Sequence, residues 1–414
     1  MRIGVIADPP IITHSCAVVA SQLAKQWKRQ GHEVFYLGYG YKGKEVAHPD
    51  GYTIYPDTLP LTSKDSVLNF MDAVGGVDIL YSHGSKDIFR GGMEAAKERG
   101  IPFVPHTFYS TPYKNDKVNT FEARKGFILY DCEHVDDMFV CNNFSVGVGF
   151  AMGKRTWFVP NGVDTQIFFP CGEGCCETPM REKMGIPRDA CVFLFSGSNI
   201  TGKDPGRALD AFAKFYNHCI KDSPDHQPPN AYLAMHTRPS NTHLDLPKIA
   251  EELGVRQNVK FFTDYFPEWL EQPEADKDYQ KGSFSPPYTT TPYEDMGKVF
   301  RTGDVLLAPT LMEGMSTTIL EAMACGLPVI CSDDEVVSEP VVNFSTGLLV
   351  HRHLTNENIT NEVVDHMYFF YKVEGERKRM GKNATQLIKV KYNWEIIAKQ
   401  FLYFFNTLKD ERYK

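Results

Sequence analysis

Two glutamates, Glu313 and Glu321, stand with seven residues between them in the run GDVLLAPTLMEGMSTTILEAMACGLPVICSD, positions 303–333. Between them Ser316 has the character of a helix N-cap. The backbone from Gly314 through Met315, Ser316 and Thr317 to Thr318 therefore leads into a helix start. Such a start offers N–H donors and the positive end of a dipole to an anion. Carboxylates accept hydrogen bonds from hydroxyls, so two of them beside an anion site suit a ligand that carries both phosphate and hydroxyl groups. A sugar nucleotide is such a ligand. Lys203, in the loop SNITGK ahead of Asp204, would add a cation. Most glutamates are solvated surface charges. The apolar framing on both sides, and the glycine after Glu313, set this pair apart.

The elements that hold these residues are legible. Val305 to Ala308 is a short continuous apolar run, the pattern of a buried parallel strand. The helix after Ser316 ends at Gly326, where positive φ is expected, and Leu327 to Cys331 reads as a second buried strand. The spacing puts Ile319, Leu320, Met323 and Ala324 on one helix face, with Glu321 off it. Glu313 falls in the loop at the carboxyl end of a strand, where open α/β sheets bind ligands.

Strand-P-x3-EG-x6-EAMACGLPV resembles the donor-site signature of GT-B glycosyltransferases, most closely family 4. The resemblance implies a fold of two Rossmann-like, doubly wound domains facing across a cleft, with a C-terminal helix crossing back to the first domain. It places Glu321 on the donor ribose and Glu313 on the donor sugar. The family pattern G-R-x4-K-G falls on Gly197, Ser198 and Lys203. Lys203 matches the lysine that clasps the donor diphosphate, but Ser198 stands where the family has arginine. Arg207, one turn into the following helix, or Arg238, in HTRPS, would have to replace that charge.

The 414 residues suit two domains of ordinary size. A net charge of −8 and a pI near 5.9 give no general pull toward nucleic acid. The basic stretches 25–29 and 377–391 leave peripheral membrane contact open. No apolar run approaches the roughly 20 residues needed to cross a bilayer, and MRIGVIADPP reads as a first strand rather than a signal peptide. A cytoplasmic protein with ten reduced cysteines is the expectation. Cys171, Cys175 and Cys176 would hold zinc only with a fourth ligand such as Cys132 or Cys141. Free thiols in a linker are the preferred reading. No G-x-G-x-x-G stands between the first strand and its helix (the run GYGYKG at 38–43 follows the second strand), so a nicotinamide dinucleotide is not expected.

In chain order, strand Ile3–Ala7, a helix from Ser15 to Gln30 and the strand in GHEVFYLGYG open the protein βαβ. The family's glycine-rich loop is here DPPIITHSC, without a glycine pair. VDILYSH ends a strand at His83, and IPFVPHTF places His106 near the end of another. His106 is a candidate to hydrogen-bond a sugar hydroxyl or the transferring oxygen; a satisfied histidine at the core edge is the equal alternative. Residues 109–126 form a polar, aromatic loop expected to carry acceptor specificity. The turn PNGVD marks the domain boundary, and its Asn-Gly is expected to supply positive φ. Residues 165–188 read as a linker and 263–290 as an irregular insertion. The expected domains are 1–164 with 395–414, and 165–394.

The resemblance thus implies transfer of a sugar, with retention of configuration, from a nucleotide diphosphate sugar to a hydroxyl acceptor of unknown class. Cofactor and metal are expected to be absent, since the lysine and the helix start would neutralise the diphosphate. The alternatives are a catalytically weakened GT-B protein that binds a sugar nucleotide or partner, and a GT-B sugar-nucleotide epimerase.

Overall fold

The computed structural model describes residues 1–10, 15–57, 63–84, 86–107, 135, 137–171, 177–241, 244–271, 290–311, 313–351 and 355–412. They fall into two compact units, one of Met1–Gly162 and Tyr392–Lys414, the other of Val163–Glu271 and Ser285–Lys391. Both are parallel, doubly wound α/β units of Rossmann type.

In the first unit the strands are β1 (Arg2–Ala7), β2 (Glu33–Gly38), β3 (Val46–Ala47), β4 (Thr53–Pro56), β5 (Ile79–His83), β6 (Phe103–Thr107), β7 (Asp137–Val140) and β8 (Arg155–Phe158). Their order is β3-β4-β2-β1-β5-β6-β7-β8. Every pairing is parallel except the short edge pair β3–β4. Helices α1 (Ser15–Arg29), α2 (Lys64–Ala73), α3 (Lys86–Arg99) and α4 (Asn143–Ala151) connect them. The C-terminal helix Trp394–Arg412 joins this unit, where Phe401 and Phe405 pack on Trp27 of α1. β3, β4 and α2 lie in a stretch whose mixed polar pattern gave no sequence signal.

The turn PNGVD differs from expectation. Gly162 is not among the positive-φ glycines. A Cβ there would stand 2.7 Å from Trp394 Cδ2 and 2.9 Å from the Trp394 nitrogen, so close packing requires the glycine.

In the second unit the strands are β9 (Cys191–Ser196), β10 (Ala231–His236), β11 (Val259–Phe261), β12 (Val305–Ala308), β13 (Val329–Asp333) and β14 (Gly347–His351). The order β11-β10-β9-β12-β13-β14, parallel throughout, is the 3-2-1-4-5-6 order of a dinucleotide-type sheet. Its helices are α5 (Glu177–Lys183), α6 (Pro205–Asp222), α7 (Leu246–Glu252), α8 (Tyr293–Arg301), α9 (Thr317–Ala324), α10 (Asn356–Lys372) and α11 (Glu374–Lys391), so Trp394–Arg412 is α12. Phe193, Phe212, Phe215, Met235 and Leu307 are fully buried in the core between sheet and helices. α9 is the helix read from the sequence: Ser316 caps it by accepting from Ile319 N, and Gly326 closes it at φ +87°.

The stretch read as a linker contains α5, because Met180 and Met184 are buried and Arg181 donates to Thr302 O and pairs with Asp304. The start of the expected insertion is ordered into two short 3₁₀ turns, with Trp269 buried. Residues 272–289, the loop 109–126, residues 11–14 of the first loop, and Cys132, Cys175 and Cys176 lie outside the described residues. Six described cysteines are free, but Cys171 is disulfide-bonded, against the expectation of reduced thiols throughout. Among the described residues no helix is long and apolar enough to cross a membrane, and none of the His, Cys, Asp and Glu side chains cluster as a metal site.

Candidate functional site

In the second sheet the chain reverses its direction of winding between β9 and β12, which are neighbours. At such a switch point the loops leaving adjacent strands diverge to opposite faces and open a crevice beyond the carboxyl ends. The loop after β9 carries Gly197, Ser198 and Lys203, and the loop after β12 carries Glu313 and Gly314. A hydrogen bond from Leu311 N to Gly202 O, 2.8 Å, ties the two loops together. Lys203 Nζ forms an ion pair with Glu313 Oε2. The lysine stem runs past Gly197, with its Cγ 3.6 Å from where a Cβ would stand there. Glu313 Oε1 accepts from Gly314 N at 3.3 Å, which turns the carboxylate back toward the helix start.

Burial lowers the Lys203 ammonium to a pKa of about 8. The Glu313 carboxylate against it favours the ammonium, which is charged at neutral pH. Next to it the first turn of α9 presents its backbone, with Met315 and Ser316 buried and Thr317 and Thr318 half-buried. Ser316 Oγ takes the Ile319 N–H, and the N–H groups of Thr317 and Thr318 precede the first intrahelical hydrogen bond.

Glu321 lies one turn further along α9, half-buried. Burial raises its carboxyl to about 8, well above the ordinary carboxylate range. The phenol of Tyr293, at the start of α8, is pushed far up by burial and then by the Glu321 and Asp164 carboxyls near it. Tyr293 was not singled out by sequence; a lone tyrosine opening a helix carries no signal that its neighbours are carboxyls.

The structure brings Glu313 and Lys203 together and sets Glu321 on α9, the helix that follows the Glu313 loop. It does not leave Arg207 for a phosphate. Its Nε donates to Asp204 Oδ2 at 2.7 Å, its Nη1 to Asn356 O at 3.1 Å and its Nη2 to Asn356 Oδ1 at 3.4 Å. The guanidinium is a tie between α6 and the first turn of α10. Arg238, half-buried at the end of β10, accepts from Asn199 Nδ2 at its carbonyl, 3.1 Å, which fixes it beside the Ser198 loop.

His106 belongs to the other unit and is fully buried. Its Nε2 donates to Val159 O at 3.3 Å, so its Nδ1 accepts from the Tyr81 hydroxyl at 2.8 Å. Burial, then His83 beside it, holds the ring neutral far below the usual histidine range. With both nitrogens engaged and Phe401 against its ring, it has no face for a sugar, and the core reading holds. His83, also buried, donates from Nδ1 to His106 O at 3.0 Å. In the second unit His236 links Ser196 Oγ (3.0 Å) to Thr291 Oγ1 (2.8 Å), joining the end of β9 to the entry of α8. Burial lowers it to about 4.

Residues 288–387 match the family model "Glycosyl transferases group 1". The alpha-maltose-1-phosphate synthase of Mycolicibacterium smegmatis is 23% identical over 371 residues, covering 85% of this chain and 84% of that protein. The D-inositol 3-phosphate glycosyltransferase of Stackebrandtia nassauensis is 27% identical over 295 residues, 67% of this chain but 58% of that protein. Among solved structures, the sucrose-phosphate synthase of Thermosynechococcus elongatus superposes with a TM-score of 0.74 at 16% identity, covering 98% of both chains. Anabaena HepE, solved with UDP and glucose, superposes at 0.70 and 14% identity over 98% of this chain and 100% of that one. These likenesses carry the two-domain fold across the whole length.

Proposed function

We propose that this chain, a GT-B glycosyltransferase of the group 1 type, moves a glycosyl group from a nucleoside diphosphate sugar to an acceptor hydroxyl with retention of configuration and without a metal ion. The observation that carries this reading is the Lys203–Glu313 ion pair at the switch point of the second sheet, beside the first turn of α9. Breaking the glycosidic bond leaves negative charge on the diphosphate. Lys203 and the backbone donors of Met315 to Thr318 are arranged where that charge would develop, and fixed donors of this kind stabilise a transition state without reorganising. Glu313 would meet the sugar, holding its hydroxyls and favouring the positive ring of an oxocarbenium-like transition state. Glu321 would accept hydrogen bonds from the ribose. His106 has no part in this chemistry.

The relatives and neighbours name sugar phosphates, inositol phosphate and UDP-glucose for themselves. They motivate testing uridine nucleotides first and a small polyol or sugar phosphate among acceptors. The same reading puts the protein in the cytoplasm, with its six described free cysteines as thiols.

The test is a panel of nucleotide sugars screened for thermal stabilisation, followed by product analysis with the one selected. Selective binding at 100 times Kd should add about 2.7 kcal/mol of stability. A new glycoside supports transfer. Binding without product, or isomerisation of the donor alone, would replace it with a binding protein or an epimerase. No stabilisation by any sugar nucleotide would remove the donor site altogether.

A further inference from the structure

Lys203 is followed by a residue in a conformation that L-amino acids seldom take. Asp204 has φ 50° and ψ 53°, the left-handed region, where among the described non-glycine residues only His226 and Phe344 join it in having positive φ. In the pattern G-R-x4-K-G this position is the final glycine, the residue that adopts such a turn without steric cost. Aspartate tolerates it when its side chain is bonded locally. Here both carboxylate oxygens are engaged. Oδ1 accepts from Arg207 N at 3.2 Å, and Oδ2 from Arg207 Nε at 2.7 Å. The same guanidinium reaches Asn356 O and Thr360 Oγ1, at 3.1 and 3.4 Å. The turn is therefore braced against α10, and the Asp204 and Arg207 side chains are 21% and 10% exposed.

The dihedrals of residue 204 decide how the preceding loop leaves the helix. On the loop's other side, Lys203 N and Asp204 N both donate to Ile200 O, at 3.0 and 3.3 Å. Gly202 O is held by Leu311 N. The backbone of Lys203 is thus fixed from both ends, and its ammonium meets Glu313.

We infer that Asp204 is a positioning residue for Lys203: its left-handed turn, locked by Arg207 to α10, aims the ammonium at the diphosphate site. This rests on the reading of Lys203 as the diphosphate cation. The brace supplies geometry where the missing arginine at Ser198 removes charge.

The experiment is calorimetric binding of UDP, GDP and ADP, taking the tightest, and of its parent nucleoside. The proteins are wild type, Asp204→Ala, Asp204→Gly, Lys203→Ala and the Asp204→Ala/Lys203→Ala double variant. Asp204→Ala should lose about tenfold in diphosphate affinity, the order of an unrelieved left-handed residue, with nucleoside affinity within about twofold of wild type. Asp204→Gly should recover most of the loss, and the double variant should bind no worse than Lys203→Ala alone. If Asp204→Ala does not fold, Arg207→Ala must move the diphosphate-to-nucleoside ratio in the same direction. Full diphosphate affinity in Asp204→Ala, an equal fall for the nucleoside, or additive losses would overturn the inference. If Lys203→Ala itself binds the diphosphate like wild type, the functional reading fails first, and this inference with it.

Discussion

Lys203 and Glu313, 110 positions apart in sequence, meet as an ion pair because β9 and β12 are neighbours at the point where the sheet reverses. The two side chains are proposed to serve different parts of the donor, so their removal should read out differently. Lys203→Ala should weaken nucleoside diphosphate binding, since the phosphate charge is present in the ground state. Glu313→Ala should leave binding nearly intact and lower kcat by about 10²–10³, because the ring charge develops only on reaction. Steady-state kinetics with calorimetry checks this. Equal effects of both substitutions on KM, with kcat unchanged, would show that the roles are misassigned.

If Glu321 receives the ribose as proposed, donor binding becomes a titration. Its carboxyl, raised to about 8 by burial, is mostly protonated at neutral pH. A ribose diol donates to a carboxylate, so the bound form favours ionisation and binding releases a proton. Affinity should rise with pH by up to about tenfold per unit below 8 and level off above it. Calorimetry in buffers of different ionisation enthalpy should count the proton, and Glu321→Gln should abolish it. For folding the sign is opposite: a raised carboxyl contributes stability below its unfolded value that is lost as pH rises through about 8. Lys203, with its pKa lowered, works the other way above pH 8, and Glu321→Gln retains it. The difference in Tm between variant and wild type therefore isolates the glutamate.

The βαβ unit holding Glu313 and Glu321 was legible because continuous apolar strands, a capping serine and a closing glycine all agree locally. Lys203 was legible by its place after a buried strand. The fate of Arg207 was not, since its partners Asn356 and Thr360 lie 149 and 153 residues away. His106 looked chemical because its segment resembles one of the family's; Tyr81, Val159 and Phe401, from distant segments, consume its ring. The short helix α5 was missed because the ties of Arg181 to Thr302 and Asp304, rather than periodicity, hold it.

His106 should accordingly behave as a stability residue. His106→Phe leaves the Tyr81 hydroxyl and Val159 O without partners in a sealed core, at about 1–3 kcal/mol for each unsatisfied group. Urea unfolding should show the loss, while kcat of the protein that remains folded should change less than about threefold. A folded variant with wild-type stability and a kcat lowered about a hundredfold would return His106 to the chemistry.

The proposed phosphate site is cationic and built from a lysine and a helix start, so turnover should survive chelators; the resemblance to the family implies in addition a product with the donor's anomeric configuration. EDTA treatment and proton NMR of the product check both. Activity abolished by EDTA and restored by manganese, or an inverted anomeric centre, would require a different site.

The last prediction concerns charge. With Ser198 at the arginine position and Arg207 occupied by Asp204 and Asn356, Arg238 is the remaining candidate named from the sequence, among the described residues, for a second cation at the proposed diphosphate site. Arg238 is held near by the Asn199 amide on its carbonyl. If it supplies the second cation, Arg238→Ala should lose about tenfold or more in nucleoside diphosphate affinity, the scale of one charge-assisted hydrogen bond. If the site works at a deficit, Arg238→Ala should be silent. In that case Ser198→Arg, which restores the pair in a half-buried loop, should tighten binding by a similar factor and steepen its salt dependence. The two outcomes are exclusive in sign: a deficit leaves room for gain at Ser198, and a filled site does not. Silence of Arg238→Ala together with no gain in Ser198→Arg would mean that the lysine and the helix start saturate the diphosphate, and that the second cation is dispensable in this chain.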